Sequence, residues 1–162
     1  MADEVDQIYR DAIADPSLLS NLDIDSILEK MEDNDISEKK MSEISREIFN
    51  QLYEIQGIDV SILCSKLIGY RWIENICDLR LGRIIRWITQ TKDSNKRNAL
   101  TNGAILTSIT IEDSGVKLLC QNNMRRFFTL YFDKCIIFQK LTLEEQIILM
   151  ANDSLEKYIN NI

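Results

Sequence analysis

The stretch "CDLRLGRIIRWIT", residues 77–89, decides the fold, because here the apolar period of the chain becomes two. Cys77, Leu79, Leu81, Ile85 and Trp87 fall on one face and Asp78, Arg80, Gly82 and Arg86 on the other, the alternation of a half-buried strand. Arg83 interrupts the apolar row beside Gly82, a combination expected at a bulge or sharp bend. The segment reads as a strand with a kink.

Working outward toward the C-terminus, "TQTKDSNKRNALTNG" (89–103) is a polar loop closing in a turn at Asn102-Gly103. "AILTSITI" (104–111) and "VKLLCQ" (116–121) are strands joined through "EDSG", whose glycine suits a left-handed turn position. "NNMRR" turns the chain into "FFTLYF" (127–132), and a short "DK" turn leads to "CIIFQKL" (135–141). Five short strands at this spacing predict an antiparallel meander, which would protect its edges by curling into a small barrel. Thr142 with Glu145 three residues on predicts a capping box and a final helix, with Ile147, Ile148, Ala151, Leu155 and Tyr158 facing inward.

Toward the N-terminus the period is helical. Val5, Ile8, Tyr9, Ala12 and Ile13 form one stripe, broken at Asp15-Pro16, and Leu22, Ile24, Ile27, Leu28 and Met31 form another. Met41, Ile44, Ile48, Leu52 and Ile55 make a third, with Ser37 as a cap and Gly57 as a stop. Val60, Leu63, Cys64 and Leu67 suit a buried helix, and residues 68–77 carry no decisive pattern. The expected fold is therefore α+β: acidic N-terminal helices over residues 1–77, a small antiparallel β-barrel-like sheet of about five strands over 78–141, and a C-terminal helix over 142–162 packed on the barrel.

Charge follows the same divisions. The net charge of -7 conceals 15 acidic against 5 basic side chains in residues 1–56, 7 against 13 in 57–141, and 4 against 1 in 142–162. The helices are acidic and the sheet region basic. No apolar run is long enough to span a bilayer, and the acidic start is unlike a secretory signal, so the expected setting is intracellular and cytoplasmic, without a membrane partner.

Several kinds of chemistry find no support. The chain has no histidine, which removes Ser-His-Asp and Cys-His nucleophiles and the commonest acid/base group near neutral pH. Cys64, Cys77, Cys120 and Cys135 are far apart in sequence, each in an apolar neighbourhood, and read as free, reduced thiols rather than metal ligands. Phosphate-binding glycine loops and hydrolase motifs are absent, and "DNDISEKKMSE" lacks the central glycine of a calcium loop. The expectation is a protein that is not an enzyme, with no catalytic residues, cofactor or metal.

The basic centre carries the functional reading. Arg80, Arg83 and Arg86 surround the first strand, Lys92, Lys96 and Arg97 lie in its loop, and Arg125 and Arg126 enter the strand that alternates Phe127, Thr129 and Tyr131. One reading makes these basic groups and Tyr131 a surface for single-stranded nucleic acid, by phosphate pairing and stacking. In the other, Phe127 and Tyr131 lie under the helices and the arginines pair with the acidic parts of the chain. A protein partner within a larger assembly is the expected use of such a module, since arginine and aromatic residues predominate at binding hot spots.

The strings "LGRIIRWI" (81–88), "LTNGAIL" (100–106) and "IFQKLTLEEQIIL" (137–149), with heavy use of isoleucine and asparagine, resemble uncharacterised proteins of nucleocytoplasmic large DNA viruses over roughly residues 70–150. The resemblance implies a viral structural or virion-associated product. It brings no site residues with it.

Overall fold

The computed structural model describes residues 38–90 and 99–162. The helical stripes expected before residue 38, the Ser37 cap and the loop residues Lys92, Lys96 and Arg97 lie outside the described residues. Helix α1 (Met41–Tyr53) and helix α2 (Val60–Lys66) precede strand β1 (Tyr70–Ile73) and a 3-10 turn at Ile76–Asp78. Strands β2 (Ile84–Thr89), β3 (Ala104–Glu112), β4 (Gly115–Gln121) and β5 (Phe127–Tyr131) follow, then a 3-10 turn at Phe132–Lys134, strand β6 (Cys135–Lys140) and helix α3 (Leu143–Asn160). The protein is α+β, as the periodicities indicate.

The sheet is open, which corrects the expected barrel. Its six antiparallel strands run in the order β1-β6-β2-β3-β4-β5, leaving β1 and β5 as edges. The strand missing from the sequence reading is β1, which pairs Tyr70 with Lys140 and Ile73 with Ile137. Four residues give only two side chains per face, too few to show a period. With β6 held between β1 and β2, β5 is left without a closing partner among the described residues.

The quoted stretch is shorter as a strand than its pattern predicts. Residues before Ile84 form turns, so Cys77 and Leu81 are exposed while Leu79 is buried. Gly82 produces the break with a φ of 81°, and its N–H donates to the Leu106 carbonyl at 2.7 Å. From Ile84 the alternation holds: Ile85 and Trp87 join one apolar cluster with Ile73, Ala104, Leu106, Leu118, Cys120 and Ile137. Paired residues share a face, so Arg86 and Ile88 lie with Phe138 and Ile136 on the opposite side.

The chain divides into two compact units, comprising residues 38–45 with 141–162, and residues 46–140, among those described. In the first, Thr142 and Glu145 form the expected capping box. Ser42 Oγ donates to Asp153 Oδ1 at 2.6 Å, Asn152 Nδ2 donates to the Lys39 carbonyl, and Lys40 pairs with Glu156 at 2.7 Å. These contacts put Asn152, Asp153 and Glu156 on the packed side of α3, in line with buried Glu145 and Leu149. Leu155 and Tyr158 are consequently 60% and 70% exposed, not inward as their spacing suggests.

In the second unit the buried stripe continues through Ile48 and Leu52 of α1, and Leu63 and Leu67 mark the buried side of α2. Asp59 caps α2 by accepting from the Ile62 N–H.

Candidate interaction surface

The two ends of the sheet's second face differ. Near β6 and β2, Phe138, Ile136 and Ile88 are buried, and Arg86 donates to the Lys66 carbonyl, which brings the end of α2 against this side. Toward β5 the same face opens to solvent. Ile84, Ile105, Gln121 and Phe127 form one row across four strands, with Leu119 and Thr129, then Lys117 and Tyr131, in the rows beyond. Phe127 is 60% exposed and Tyr131 36%. Both rings are therefore open to solvent; the N-terminal segments expected to cover them lie outside the described residues.

The β4–β5 hairpin also shows which backbone groups are unused. The Asn122 N–H donates to the Arg126 carbonyl at 3.0 Å, and the Asn122 side chain accepts from the N–H groups of Met124 and Arg126. Arg125 takes a φ of 60° to complete this turn. A hydrogen-bonded pair at 122 and 126 sets the parity of the ladder, so Phe128 and Leu130 direct their N–H and C=O groups at β4. The N–H and C=O groups of Phe127 and Thr129 and the N–H of Tyr131 point to the open edge, while the Tyr131 carbonyl begins the following 3-10 turn. Phe128 and Leu130 are inward and half-buried, and the Phe128 ring lies 5.5 Å from that of Trp87.

The described arginines of the expected surface have individual partners. Arg86 is structural: its Nε donates to the Thr101 carbonyl at 2.8 Å, its Nη1 to Lys66 at 3.0 Å, and its guanidinium stands 5.9 Å from the centre of the Tyr70 ring. Burial raises the Tyr70 hydroxyl pKa, with Arg86 opposing. Arg80 Nη1 donates to the Cys77 carbonyl at 2.8 Å, while its N–H donates to Oε1 of buried Gln139. Arg83 lies in the turn before β2, where its carbonyl accepts from the Leu106 N–H. Of the described candidates, only Arg125, Arg126 and Tyr131 belong to the β5 region.

Two basic groups there were not anticipated. Lys134 Nζ lies 4.9 Å and Lys117 Nζ 5.9 Å from the centre of the Tyr131 ring. Hairpin register carries the missing signal: a turn over 122–126 pairs Gln121 with Phe127 and hence Lys117 with Tyr131. Lys117 is also bonded to Glu112 at 2.8 Å, which raises the lysine pKa and lowers that of the carboxyl.

A cleft of about 440 Å³ opens where β2 and β3 diverge. Trp87 and Phe128 give it aromatic walls, and Asn102, Gln121, Asn122 and Asn123 supply amides. Gly103 lets the chain pass close against β2 at the cleft: at φ 107°, a side-chain carbon there would meet Ile84 and the Ile85 carbonyl at 3.2 Å. Among the described residues the cleft is lined by no Asp, Glu, Lys, Arg or Cys side chain, and its one hydroxyl, Thr101 Oγ1, accepts from the Trp87 N–H at 3.1 Å.

The four cysteines are free thiols. Burial raises the pKa of Cys64 and Cys135 and pushes Cys120 up to about 11, whereas Cys77 is exposed, unlike the buried thiol its neighbours suggest. No group of three metal-ligating side chains is clustered, and no helix is long and apolar enough to cross a membrane, among the described residues. Comparison with protein-family models, curated proteins and solved structures finds no match to this chain.

Proposed function

We propose that this chain is a non-catalytic protein-interaction module, a component of a larger assembly, that docks its partner along the β5 edge. The observation supporting this is the edge itself. It is five residues of "FFTLY" without charge or proline, with backbone groups of Phe127 and Thr129 and the N–H of Tyr131 unused among the described residues and exposed aromatic rings beside them. An uncovered strand of this kind is a template for strand addition, which proteins ordinarily blunt with charges, proline or bulges. A viral structural or virion-associated role extends this reading on the strength of the resemblance over residues 70–150. A photo-crosslinking amino acid at position 129 of the full chain, expressed in its native setting, tests the docking. Protein adducts at 129 that are absent from exposed position 144 support it; equal labelling at both positions would overturn it.

A second reading, binding of single-stranded nucleic acid, is favoured by Lys117 and Lys134 over Tyr131 and by Arg125 and Arg126 at the other end of the strand. Against it stand the Lys117–Glu112 pair and the net charge of -7, which repels phosphate at long range. Anisotropy titration of labelled oligonucleotides against the full chain separates the two. The nucleic-acid reading requires affinity that falls steeply with salt and is lost in Tyr131→Ala.

A further inference from the structure

Resting on the docking reading above, we infer that the partner at the β5 edge is a second copy of this chain, paired antiparallel about a two-fold axis at Thr129. The strand is self-complementary in that register. Thr129 meets Thr129 of the other copy, Phe127 meets Tyr131, and Phe128 meets Leu130. The parity of the β4–β5 ladder turns the N–H groups of 127, 129 and 131 and the C=O groups of 127 and 129 outward, so the Thr129 pair exchanges both of its hydrogen bonds and each Tyr131 N–H donates to the Phe127 carbonyl of the other copy. Four edge bonds form in this register, since the Tyr131 carbonyl is directed into the 3-10 turn that follows. A shift by one residue in either copy sets outward groups against groups already committed to β4.

Side chains on both faces agree with the backbone. On the exposed face, Phe127 of each copy lies opposite Tyr131 of the other, an aromatic cross-strand pair that covers the two exposed rings of the edge. On the core face, Phe128 and Leu130 are half-buried, β5 having no outer neighbour among the described residues, and each copy supplies that neighbour. Beyond the strand ends an acidic group, with Lys134 beside it, meets the basic turn. The same register carries the Arg125–Arg126 turn of one copy toward exposed Asp133 of the other, twice by symmetry. No charged residue within β5 opposes its own copy. A two-fold contact of this type closes on itself and ends at the dimer.

The other edge fits this role less well. β1 has four residues and carries Arg71, which is buried and paired with Asp78 at 3.9 Å, so its charge is committed inside the molecule. Pairing of β5 with β1 of another copy would also be head-to-tail and would continue into an open chain of subunits.

The test uses the full chain with Cys77→Ser to silence the exposed thiol. Thr129→Cys places a thiol on the axis, where opposed α-carbons about 5.5 Å apart fall within disulfide range. Mild oxidation is expected to give a covalent dimer with Thr129→Cys and far less with Phe127→Cys or Tyr131→Cys, whose partners across the edge are aromatic. Analytical ultracentrifugation of Thr129→Lys, which opposes two ammonium groups, is expected to show dimerisation weakened by about tenfold or more, with unchanged circular dichroism. Equal cross-linking at 127 and 129, a monomer at all concentrations, or growth to long oligomers would overturn the inference. A photo-adduct at 129 to a different protein, with the chain itself monomeric, would overturn the second-copy assignment while leaving the docking edge standing. Absence of any protein adduct at 129 would remove both.

Discussion

Arg86 belongs to the basic stretch that looks like a binding surface in the sequence, yet it works inside the fold, and its replacement measures that difference. Its guanidinium serves the Thr101 carbonyl at 2.8 Å in a half-buried position and the Lys66 carbonyl at 3.0 Å in an exposed one. Hydrogen bonds from charged donors contribute about 1.5–3 kcal/mol when shielded, so the Thr101 bond is taken at about 1.5 and the Lys66 bond, open to water, at about 0.5. The Tyr70 ring at 5.9 Å adds up to about 0.5 kcal/mol. Arg86→Ala is therefore expected to destabilise the fold by about 2 kcal/mol, or about 4–8 °C in melting temperature for a chain of this length. Arg86→Lys should recover only part of this, since an ammonium lacks the planar fork that reaches both carbonyls. Arg125→Ala and Arg126→Ala, on the exposed turn, should stay within about 0.5 kcal/mol of the parent. Urea unfolding followed by tryptophan fluorescence and circular dichroism gives all four values. An Arg86→Ala protein as stable as the parent would refute the structural role assigned to this side chain.

Thr142→Ala removes the capping box of α3 and should cost about 1 kcal/mol, read as loss of helical signal at lower denaturant, with Thr142→Ser close to the parent. Leu118→Ala opens a cavity in the cluster shared by β2, β3 and β4 and should cost about 3 kcal/mol in urea unfolding. In thiol labelling of the folded protein near neutral pH, Cys77 should react readily and Cys120 only on unfolding. Burial holds the Cys120 pKa at about 11 against an ordinary 9.0, so the stability carried by its neutral form is complete below about pH 9 and is lost as pH rises toward about 11. Cys120→Ala should flatten the decline in stability over that range.

What the sequence makes legible is set by how many residues repeat a pattern. The hairpins β3–β4 and β4–β5, the α1 stripe of Ile44, Ile48 and Leu52, and the Thr142 capping box are readable because period and turn chemistry act locally. β1 is not, because "YRWI" is short and pairs with a strand far along the chain. The open sheet follows from that missing strand: with Ile73 set beside Ile137, β6 has both edges filled and β5 has none to join. Charge misleads for a related reason. A sequence shows that Arg80, Arg83 and Arg86 are close along the chain, but whether each meets solvent or a carbonyl depends on segments brought in from elsewhere, such as Thr101 and Lys66 around Arg86. Around β5 the alternation of Phe127, Thr129 and Tyr131 was legible, while Lys117 and Lys134 needed the register of the hairpin and the 3-10 turn that follows it.

Amide-resolved hydrogen exchange along β5, measured by NMR on the full chain over a range of concentrations, tests the docking edge most directly. In dilute protein, Phe128 and Leu130 should be protected by β4 while Phe127, Thr129 and Tyr131 exchange quickly; as the protein associates, the amides of Thr129 and Tyr131 should become protected together. Fast exchange at 129 and 131 in the associated species, with new protection elsewhere, would contradict the account.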